Sequence, residues 1–356
     1  MKKTVAIVFG GVSSEHKISL TSAFNVLKNI SEEKYSLIKI GIKKNGTWMK
    51  FDGPLEEIKT GAWENYYSNK KVVFSNDPTQ KGLIVLEKNK ISVLPVDTVF
   101  PILHGKNGED GKLQAALEMS NLAYVGCGSV ASANCMDKAI TDALLKNSGI
   151  RKAKLIHFFY SEFLENKKKI FEKIEKKIGS FPIFVKPARG GSSIGINKAK
   201  DKESLKKAIE IAANEDEKIC IEENIIGKEL ECAVLGNRKP FTSIIGRIVP
   251  KAEFYNFKAK YEDDTTILEV PAQIEENICK KIQNIAIKAY KIMNCKGLSR
   301  IDFFLQKKDN AIILNEINTM PGFTDISMYI KLMEKSFGSC SSVLDKLIDL
   351  SFESSF

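Results

Sequence analysis

Residues 298–322 read LSRIDFFLQKKDNAIILNEINTMPG, two strand-like segments separated by a polar stretch. Alternate residues of a strand project to the same side, so Arg300 and Asp302 share one face, as do Glu316 and Asn318. If the two strands pair, the oxygen atoms of Asp302, Glu316 and Asn318 converge, and such hard ligands suit Mg²⁺. Arg300 adds a fixed fork of N–H donors beside them. We therefore predict a magnesium site on this strand pair.

A surface strand pair with an ordinary ion pair is the alternative interpretation of this segment. The apolar residues Ile312–Leu314 come just before Glu316, which indicates that the carboxylate is buried. Buried carboxylates are rarely left without a partner. Burial therefore favours the metal site.

The first part of the chain alternates strand-like and helix-like segments. Thr4–Phe9 is an apolar run that ends in two glycines, Ile18–Ile30 has apolar residues at helical spacing, and Tyr35–Ile42 is strand-like. This βαβ pattern predicts a parallel sheet with helices on its faces. The apolar run near Met1 is short and meets glycines, so it indicates a first strand and not a signal peptide.

From about Met136 the pattern changes. We expect helices over 137–148, 161–178 and 202–213, strands over 181–186 and 218–223, and then longer strands with one helix over 275–293. No internal repeat or low-complexity linker is evident, so the units should pack closely. The predicted domains comprise residues 1–132, 133–226 and 227–356.

A glycine- and serine-rich loop, GGSSIG over 190–195, follows a predicted buried strand that ends near Lys186. Glycines let backbone N–H groups approach a phosphate closely, and hydroxyls add donors. It is not a Walker A loop, because no Gly-Lys-Ser/Thr follows at the required spacing. Lys186 is a candidate phosphate ligand, and so is Lys138, which begins a predicted helix. Taken alone, the glycine loop also fits an ordinary turn, and each lysine also fits a solvated surface residue.

Three further polar segments follow strand-like runs. The pair Glu222-Glu223 could hold an adenine edge and a ribose, although such pairs are usually surface charge. The loop His104–Gly111 lies where α/β proteins place ligands, at the carboxyl end of a strand. In the turn Gly10–Glu15, backbone N–H groups could receive a carboxylate and Glu15 an ammonium group.

Composition limits the partners. The net charge of the 356 residues is +10, but the lysines are spread over predicted helices, as in 167–177. We therefore expect no nucleic-acid partner, and the positive charge suits an anionic small substrate. No apolar run approaches the roughly 18–20 residues of a membrane span, so no membrane partner is expected. The seven cysteines include no CxxC pair, which predicts reduced core residues and a cytoplasmic location.

Taken together, these residues resemble the D-alanine–D-alanine ligases of the ATP-grasp superfamily. The resemblance covers nearly the whole chain and rests on FGGVSSEH (9–16), LHGKNGEDG (103–111), MDK (136–138), GSSIG (191–195), FYNFKAKY (254–261) and NTMPG (318–322). At Lys106-Asn107, in the histidine loop, the sequence resembles the branch of the family that contains vancomycin-resistance D-alanine–D-serine ligases. The resemblance implies an ATP-grasp fold, α/β with an α+β C-terminal half, and an N-terminal Rossmann-like parallel-sheet domain.

The resemblance also implies ligands. ATP and two Mg²⁺ (or Mn²⁺) ions would be the cofactors, with the metals held by Asp302, Glu316 and Asn318. Lys138 and Lys186 would bind phosphates, helped by Lys260 from a lid over Lys251–Asp264. The adenine and ribose would be bound by Glu222, Glu223, Ile225, Glu229 and Phe304.

For the amino acids, Glu15 would bind the ammonium group of the first D-alanine and would connect through Ser192 to Tyr261. Arg300 and the backbone of Gly322 would stabilise an oxyanion. The second pocket would be formed by His104, Ser327 and Met328. The implied reaction is ATP-dependent synthesis of D-alanyl-D-alanine through an acyl phosphate, for peptidoglycan precursors, by a homodimer.

The chain departs from the family pattern at the second-substrate end. Relatives often have Glu at the position of Lys17 and a larger residue at that of Gly190. Residues 324–328 are TDISM, whereas the usual pattern is TSHSL, or has Arg last in the D-serine branch. Met328 resembles leucine in bulk, which favours D-alanine over D-serine, and the retained Lys260-Tyr261 argues against D-lactate.

A nucleotide-binding regulatory relative without turnover is a further alternative. The chain keeps Arg300, the three predicted metal ligands and both phosphate lysines. A decayed enzyme should have lost at least one of these residues, so catalysis is favoured.

Overall fold

The computed structural model describes residues 2–249 and 266–353. Within these ranges the strands form three sheets, of eight, four and five strands. Each sheet falls inside one of the predicted domains, whose boundaries stay a prediction. Across the same ranges, we find no helix with the length and apolar character that a bilayer crossing demands. The predicted lid over Lys251–Asp264, with Lys260 and Tyr261, lies outside the described residues.

The first sheet is mixed, although the sequence predicted only a parallel one. Its order is β6-β5-β4-β3-β2-β1-β7-β8. Strand β1 is parallel to β2 and β7, and β7 is parallel to β8, as the βαβ pattern predicts. The remaining strands continue the sheet as an antiparallel extension. The strands are β1 (Lys3–Gly10), β2 (Tyr35–Ile42), β3 (Trp48–Phe51), β4 (Lys70–Phe74), β5 (Gly82–Glu87), β6 (Lys90–Pro95), β7 (Thr98–Ile102) and β8 (Ala123–Tyr124).

Helices of the first domain cover this sheet. Helix α1 (His16–Asn29) begins directly after the glycine turn, and it buries apolar residues such as Leu20 and Val26 because they recur at helical spacing. The other elements are α2 (Leu55–Thr60), a short 3-10 helix (Ala62–Asn65) and α3 (Lys112–Met119).

The second sheet is antiparallel, with the order β11-β10-β12-β9. Its strands are β9 (Leu155–Phe159), β10 (Ile183–Pro187), β11 (Asn197–Ala199) and β12 (Lys218–Glu223). The single basic helix predicted over 161–178 is wrong: the chain breaks at Asn166, whose side chain caps a second helix by accepting from the Lys169 N–H. The helices are α4 (Ser129–Met136), α5 (Lys138–Asn147), α6 (Tyr160–Glu165), α7 (Lys167–Lys177) and α8 (Lys202–Ala213).

The third sheet has the order β15-β14-β13-β16-β17 and is antiparallel. Its strands are β13 (Gly227–Leu235), β14 (Phe241–Val249), β15 (Ile267–Glu269), β16 (Leu298–Gln306) and β17 (Ile312–Asn318). The helices α9 (Glu276–Ile292), α10 (Met328–Ser336) and α11 (Cys340–Glu353) pack beside it.

One hydrophobic core joins the first and third sheets. It contains Phe9 and Phe100 from the first sheet together with Phe323, Tyr329 and Leu347 from the C-terminal segment. The Phe100 and Phe323 rings meet edge to face with centroids 5.8 Å apart. Burial of one such ring stabilises the fold by roughly 1.5–3 kcal/mol. This shared core holds the N-terminal sheet against the strands that carry the predicted metal ligands.

Candidate active site

A cleft of about 590 Å³ lies between the three sheets. The sequence-predicted site residues that the structure describes all line it. From the first and central domains these are Glu15, His104, Lys138, Lys186, Ser192, Glu222, Glu223 and Ile225. From the C-terminal domain they are Glu229, Arg300, Asp302, Phe304, Glu316, Asn318, Gly322, Ser327 and Met328.

The acidic floor of the cleft is formed by β16 and β17. Their antiparallel register pairs Asp302 with Glu316 and Arg300 with Asn318, as strand alternation predicts. The Arg300 guanidinium donates two hydrogen bonds to Asp302, of 2.8 and 2.7 Å. Its Nε also lies 2.9 Å from the Glu231 carboxylate on β13. Sequence reasoning missed Glu231, because only the β13–β16 register places it opposite Asp302.

This floor fits a divalent cation that is shared with a substrate. Two carboxylates directly opposite one another on paired strands repel unless a cation lies between them. Within residues 2–249 and 266–353 no group of three or more His, Cys, Asp and Glu side chains is arranged to hold a metal. The set offers two carboxylates and the Asn318 amide, and Mg²⁺ typically takes one or two carboxylates and fills its shell with waters and phosphate oxygens.

Two lysines face the cleft from the central domain. The Lys138 ammonium, at the start of α5, donates 2.8 Å to the Gly190 carbonyl of the glycine loop. Lys186, on β10, forms an ion pair with Glu222 on β12. Burial opposes the charged form of both groups, yet their mutual attraction raises the pKa of Lys186 and lowers that of Glu222.

Ion pairs hold the residues next to the glycine loop in place. Asp137 caps α5 by accepting from the Ala139 N–H, and the Lys218 ammonium lies 2.9 Å from the same carboxylate. Arg189, directly before the loop, donates to Asp216 at 3.0 and 2.6 Å. The Asp137–Lys218 and Arg189–Asp216 pairs therefore fix the positions of Lys138 and of the glycine loop.

A third lysine, Lys152, lines the cleft and was not predicted. Its ammonium donates 2.5 Å to the Asn315 carbonyl, next to the predicted ligand Glu316. Burial lowers the pKa of Lys152 to about 8, against the opposing attraction of Glu222 and Asp142. Nothing in its local sequence distinguishes Lys152 from surface lysines, so only the fold reveals it.

The part of the cleft beside β12 and β13 combines acidic and aromatic groups. Glu223 accepts a 2.8 Å hydrogen bond from the backbone N–H of Lys154. Glu229 pairs with Phe304 across β13 and β16, and the Phe184 ring also lines this region. An apolar slot beside carboxylates suits a purine ring with a ribose, because the ring needs burial and the sugar hydroxyls need acceptors.

Glu15 meets the glycine loop. The Ser192 hydroxyl donates to the buried Glu15 carboxylate. A β-carbon at Gly105 would lie 2.3 Å from a Glu15 oxygen, and one at Gly191 would lie 2.7 Å away, so a side chain at either position would displace the Glu15 carboxylate. Ser192 has a φ of +48°, a left-handed conformation that is strained for serine. Such strain is typical of functional loops.

Glu109, in the His104–Gly111 loop, lies close to Glu15 and was not predicted as a site residue. It accepts a 2.7 Å hydrogen bond from the Gly105 N–H. Burial, and then the charge of Glu15, raise the pKa of Glu109 to about 8. Glu109 is therefore largely protonated at neutral pH, and Glu15 is the carboxylate of this pair that could bind an ammonium group.

His104 is hydrogen-bonded on both ring nitrogens. Nδ1 lies 3.2 Å from the Met320 carbonyl and Nε2 3.1 Å from the Ser22 hydroxyl. A carbonyl only accepts, so Nδ1 carries the proton and the Ser22 hydroxyl donates to Nε2. Burial lowers the pKa of His104 to about 4, which keeps the ring neutral. Although His104 lines the cleft, its nitrogens are engaged by protein groups.

The last segment of the cleft wall follows β17. The Ser327 hydroxyl lies 3.0 Å from the Thr324 N–H and 2.8 Å from the Thr324 hydroxyl. The Met328 side chain is 4% exposed and lies against Gly246. Asp325 is exposed to solvent, and the wall is formed instead by Thr324, Ile326 and Ser327. The departure at Asp325 therefore changes the surface rather than the cleft.

Fold and site define an enzyme of the ATP-grasp class with an N-terminal domain built around a partly parallel sheet. The chain is similar to the VanG D-Ala:D-Ser ligase of Enterococcus faecalis, with TM-score 0.89, 37% identity, and 99% and 100% of the two chains covered. It is also similar to the D-alanine-D-alanine ligase of Coxiella burnetii, with TM-score 0.85, 32% identity, and 99% and 96% covered.

Sequence comparisons identify the family. Residues 4–127 match the family described as D-ala D-ala ligase N-terminus, and residues 144–349 match D-ala D-ala ligase C-terminus. A protein named D-alanine–D-alanine ligase from Acetivibrio thermocellus is 44% identical, with 99% of this chain and 96% of that protein covered. One of the same name from Caldicellulosiruptor bescii has the same identity and coverage. The chain belongs to the D-alanine–D-alanine ligase family, which confirms the expected fold and enzyme class.

Proposed function

We propose that this enzyme joins two D-alanine molecules with consumption of ATP. The observation that carries the proposal is the floor formed by Arg300, Asp302, Glu316 and Asn318, which lines the same cleft as Lys138, Lys186 and Glu15. A site of this kind can bring a nucleotide phosphate and an amino-acid carboxylate together. The product would serve peptidoglycan precursor synthesis.

The nucleotide would occupy the part of the cleft between the second and third sheets. Lys138 and Lys186 would bind its phosphates, and the slot near Phe304 would take the adenine. Glu222, Glu223 and the Ile225 backbone would select the purine edge, and Glu229 the ribose. ATP supplies the phosphoryl group that converts a D-alanine carboxylate into an acyl phosphate, while Mg²⁺ neutralises phosphate charge.

The metal would be held by Asp302, Glu316 and Asn318, and we propose two Mg²⁺ (or Mn²⁺) ions. The carboxylates that face each other on β16 and β17 support this assignment. Arg300 would keep Asp302 oriented through its two hydrogen bonds and would stabilise negative charge on the reacting carbonyl.

The first D-alanine would bind near Glu15, whose carboxylate would hold the ammonium group. Ser192 fixes the orientation of Glu15, and Tyr261 would extend this contact. The second D-alanine would lie between His104 and Ser327, with its carboxylate near Ser327 and the Met328 backbone. Its neutral amine would attack the carbonyl carbon, the C–O bond to phosphate would break, and the nitrogen would release one proton.

A lid over Lys251–Asp264, carrying Lys260 and Tyr261, would cover the cleft during the reaction. An acyl phosphate hydrolyses easily in water, which supports such a cover. We also propose a homodimer. A cytoplasmic location is supported by the free thiols of all seven cysteines.

The experiment that tests this function measures ADP and dipeptide after incubation with ATP, Mg²⁺ and D-alanine. We expect equal amounts of both products and loss of both in Glu316→Ala. The half-exposed Glu269 on β15 is a matched control site, and Glu269→Ala should keep activity. ADP release that is independent of D-alanine would contradict the proposal.

D-Serine is the second candidate for the second substrate, and the 37% identity to the VanG D-Ala:D-Ser ligase favours testing it. The buried Met328 side chain supports D-alanine, because it adds no polar group to the pocket for a serine hydroxyl. D-Alanine would be offered with equimolar D-serine or D-lactate and the products identified by mass. Dominant D-alanyl-D-serine would overturn the choice of D-alanine.

A further inference from the structure

The loop Met320–Phe323, which contains Gly322, is held by side chains of the first domain. Asn25 on α1 donates 2.7 Å to the Phe323 carbonyl. The Phe323 N–H donates 3.3 Å to the hydroxyl of Ser22, one turn earlier on the same helix. These partners are 298 and 301 residues apart in the chain.

The other end of the loop is held in the same way. His104 donates from Nδ1 to the Met320 carbonyl, and its second nitrogen accepts from Ser22. Ser22 therefore connects both ends of the loop, since one hydroxyl accepts from Phe323 and donates to His104. Ser22 is 0% exposed and Asn25 is 8% exposed, so water does not readily replace either group.

Gly322 lies between these two anchors and faces the cleft. A β-carbon there would lie 2.7 Å from the Ser327 hydroxyl, so the backbone passes close to the predicted second-substrate group. Backbone N–H groups stabilise an oxyanion only when their position is fixed before the reaction. The Met320 carbonyl before Gly322 and the Gly322–Phe323 peptide after it are both held by side chains of the first domain, so the Gly322 N–H lies between two anchored points.

We propose that Ser22 and Asn25 are positioning residues, which act with His104 to hold the Gly322 N–H against the reacting carbonyl. The inference rests on the proposed function, because it assigns a role in the dipeptide-forming step. Neither residue is placed to touch a substrate. Their loss would shift the loop, slow amine attack and leave the activated carboxylate exposed to hydrolysis for longer.

The test uses the full chain with Ser22→Ala and Asn25→Asp, and Thr21→Val as the matched control. Thr21 lies on the same helix and donates only to the Lys17 carbonyl in its own turn. Asn25→Asp keeps the side-chain shape but replaces the donor by an acceptor facing the Phe323 carbonyl. ADP, dipeptide and melting temperature are measured for each variant, so that a failure of Ser22→Ala to fold leaves Asn25→Asp to decide.

We expect kcat for dipeptide formation to fall about 10- to 100-fold, because moving a reacting or stabilising group by about 1 Å lowers the rate by about this factor. The KM for ATP should stay within about twofold, because the phosphate and metal groups are untouched. ADP released per dipeptide should rise above the wild-type ratio, and Thr21→Val should match wild type. If the ratio of ADP to dipeptide is unchanged in the variants, with or without a lower kcat, the inference is overturned. A purely structural role would lower the formation of ADP and of dipeptide together. Wild type that makes no dipeptide would instead refute the proposed function.

Discussion

The Ser192 hydroxyl donates a hydrogen bond to the Glu15 carboxylate across 177 residues of chain. This contact joins the glycine loop of the central domain to the first helix turn of the N-terminal domain. It places an ordered carboxylate at the edge of the cleft, where the proposed ammonium group of the first substrate would lie.

Replacement of Ser192 by alanine should raise the KM for the first D-alanine. A hydrogen bond to a charged group contributes about 1.5–3 kcal/mol, which corresponds to roughly 10- to 100-fold in kcat/KM. The KM for ATP should change little. Steady-state kinetics with each substrate varied in turn measures both effects, and an equal loss for ATP and D-alanine would argue against this role.

Arg300→Lys should lower kcat about 10²–10³-fold, as expected when a donor to an oxyanion is lost. Lysine keeps the charge but cannot form the two parallel bonds to Asp302. Arg247→Lys is the matched control, because Arg247 forms a longer ion pair with Glu269, at 3.3 Å. Similar kcat values for the two variants would contradict the prediction.

Lys152→Met should stabilise the protein at pH 7 while it weakens ADP binding. The pKa of Lys152 is about 8 in the folded state, below its ordinary value of 10.5. Charged Lys152 therefore costs stability below pH 8, and this cost is relieved as pH rises toward 10.5. We expect a gain of about 1–3 kcal/mol in the free energy of unfolding at pH 7.

Denaturant titrations at pH 7 and pH 10 measure this gain, and calorimetry measures ADP binding. The advantage of Lys152→Met should shrink at the higher pH. Lys154→Met serves as control because Lys154 is exposed two residues away. A pH-independent difference between wild type and Lys152→Met would count against the buried charge as its cause.

His104 should make the fold sensitive to mild acid. Burial lowers its pKa from 6.5 to about 4, so the unfolded chain binds a proton that the folded protein does not. The contribution of neutral His104 to the free energy of unfolding is then fully present above pH 6.5. It is lost as pH decreases toward 4, by on the order of 3 kcal/mol. His104→Gln should flatten this pH dependence, as measured by urea unfolding between pH 7 and pH 4. His157→Gln, at an exposed position, should leave most of it in place.

Elements with strong local periodicity were predicted closely from the sequence. Helix Lys202–Ala213 and strand Lys218–Glu223 have the predicted bounds. A strand pair was predicted within Ile91–Pro101, where β6 and β7 lie, but β3, β4 and β5 were not predicted, because they are short and expose apolar residues such as Val73 and Leu86. The break at Asn166 was missed since a basic amphipathic pattern continues across it.

The sequence by itself determined the candidate chemistry: strand alternation placed Arg300, Asp302, Glu316 and Asn318 together, because side-chain direction in a strand depends only on local spacing. Tertiary structure alone decided the partners of these groups. Glu231 and Lys152 reach the cleft, and Ser22 reaches the loop around Gly322, through strand register and domain packing. Burial then sets the protonation of Lys152 and His104, and burial is a property of the folded surroundings that no short stretch of sequence carries.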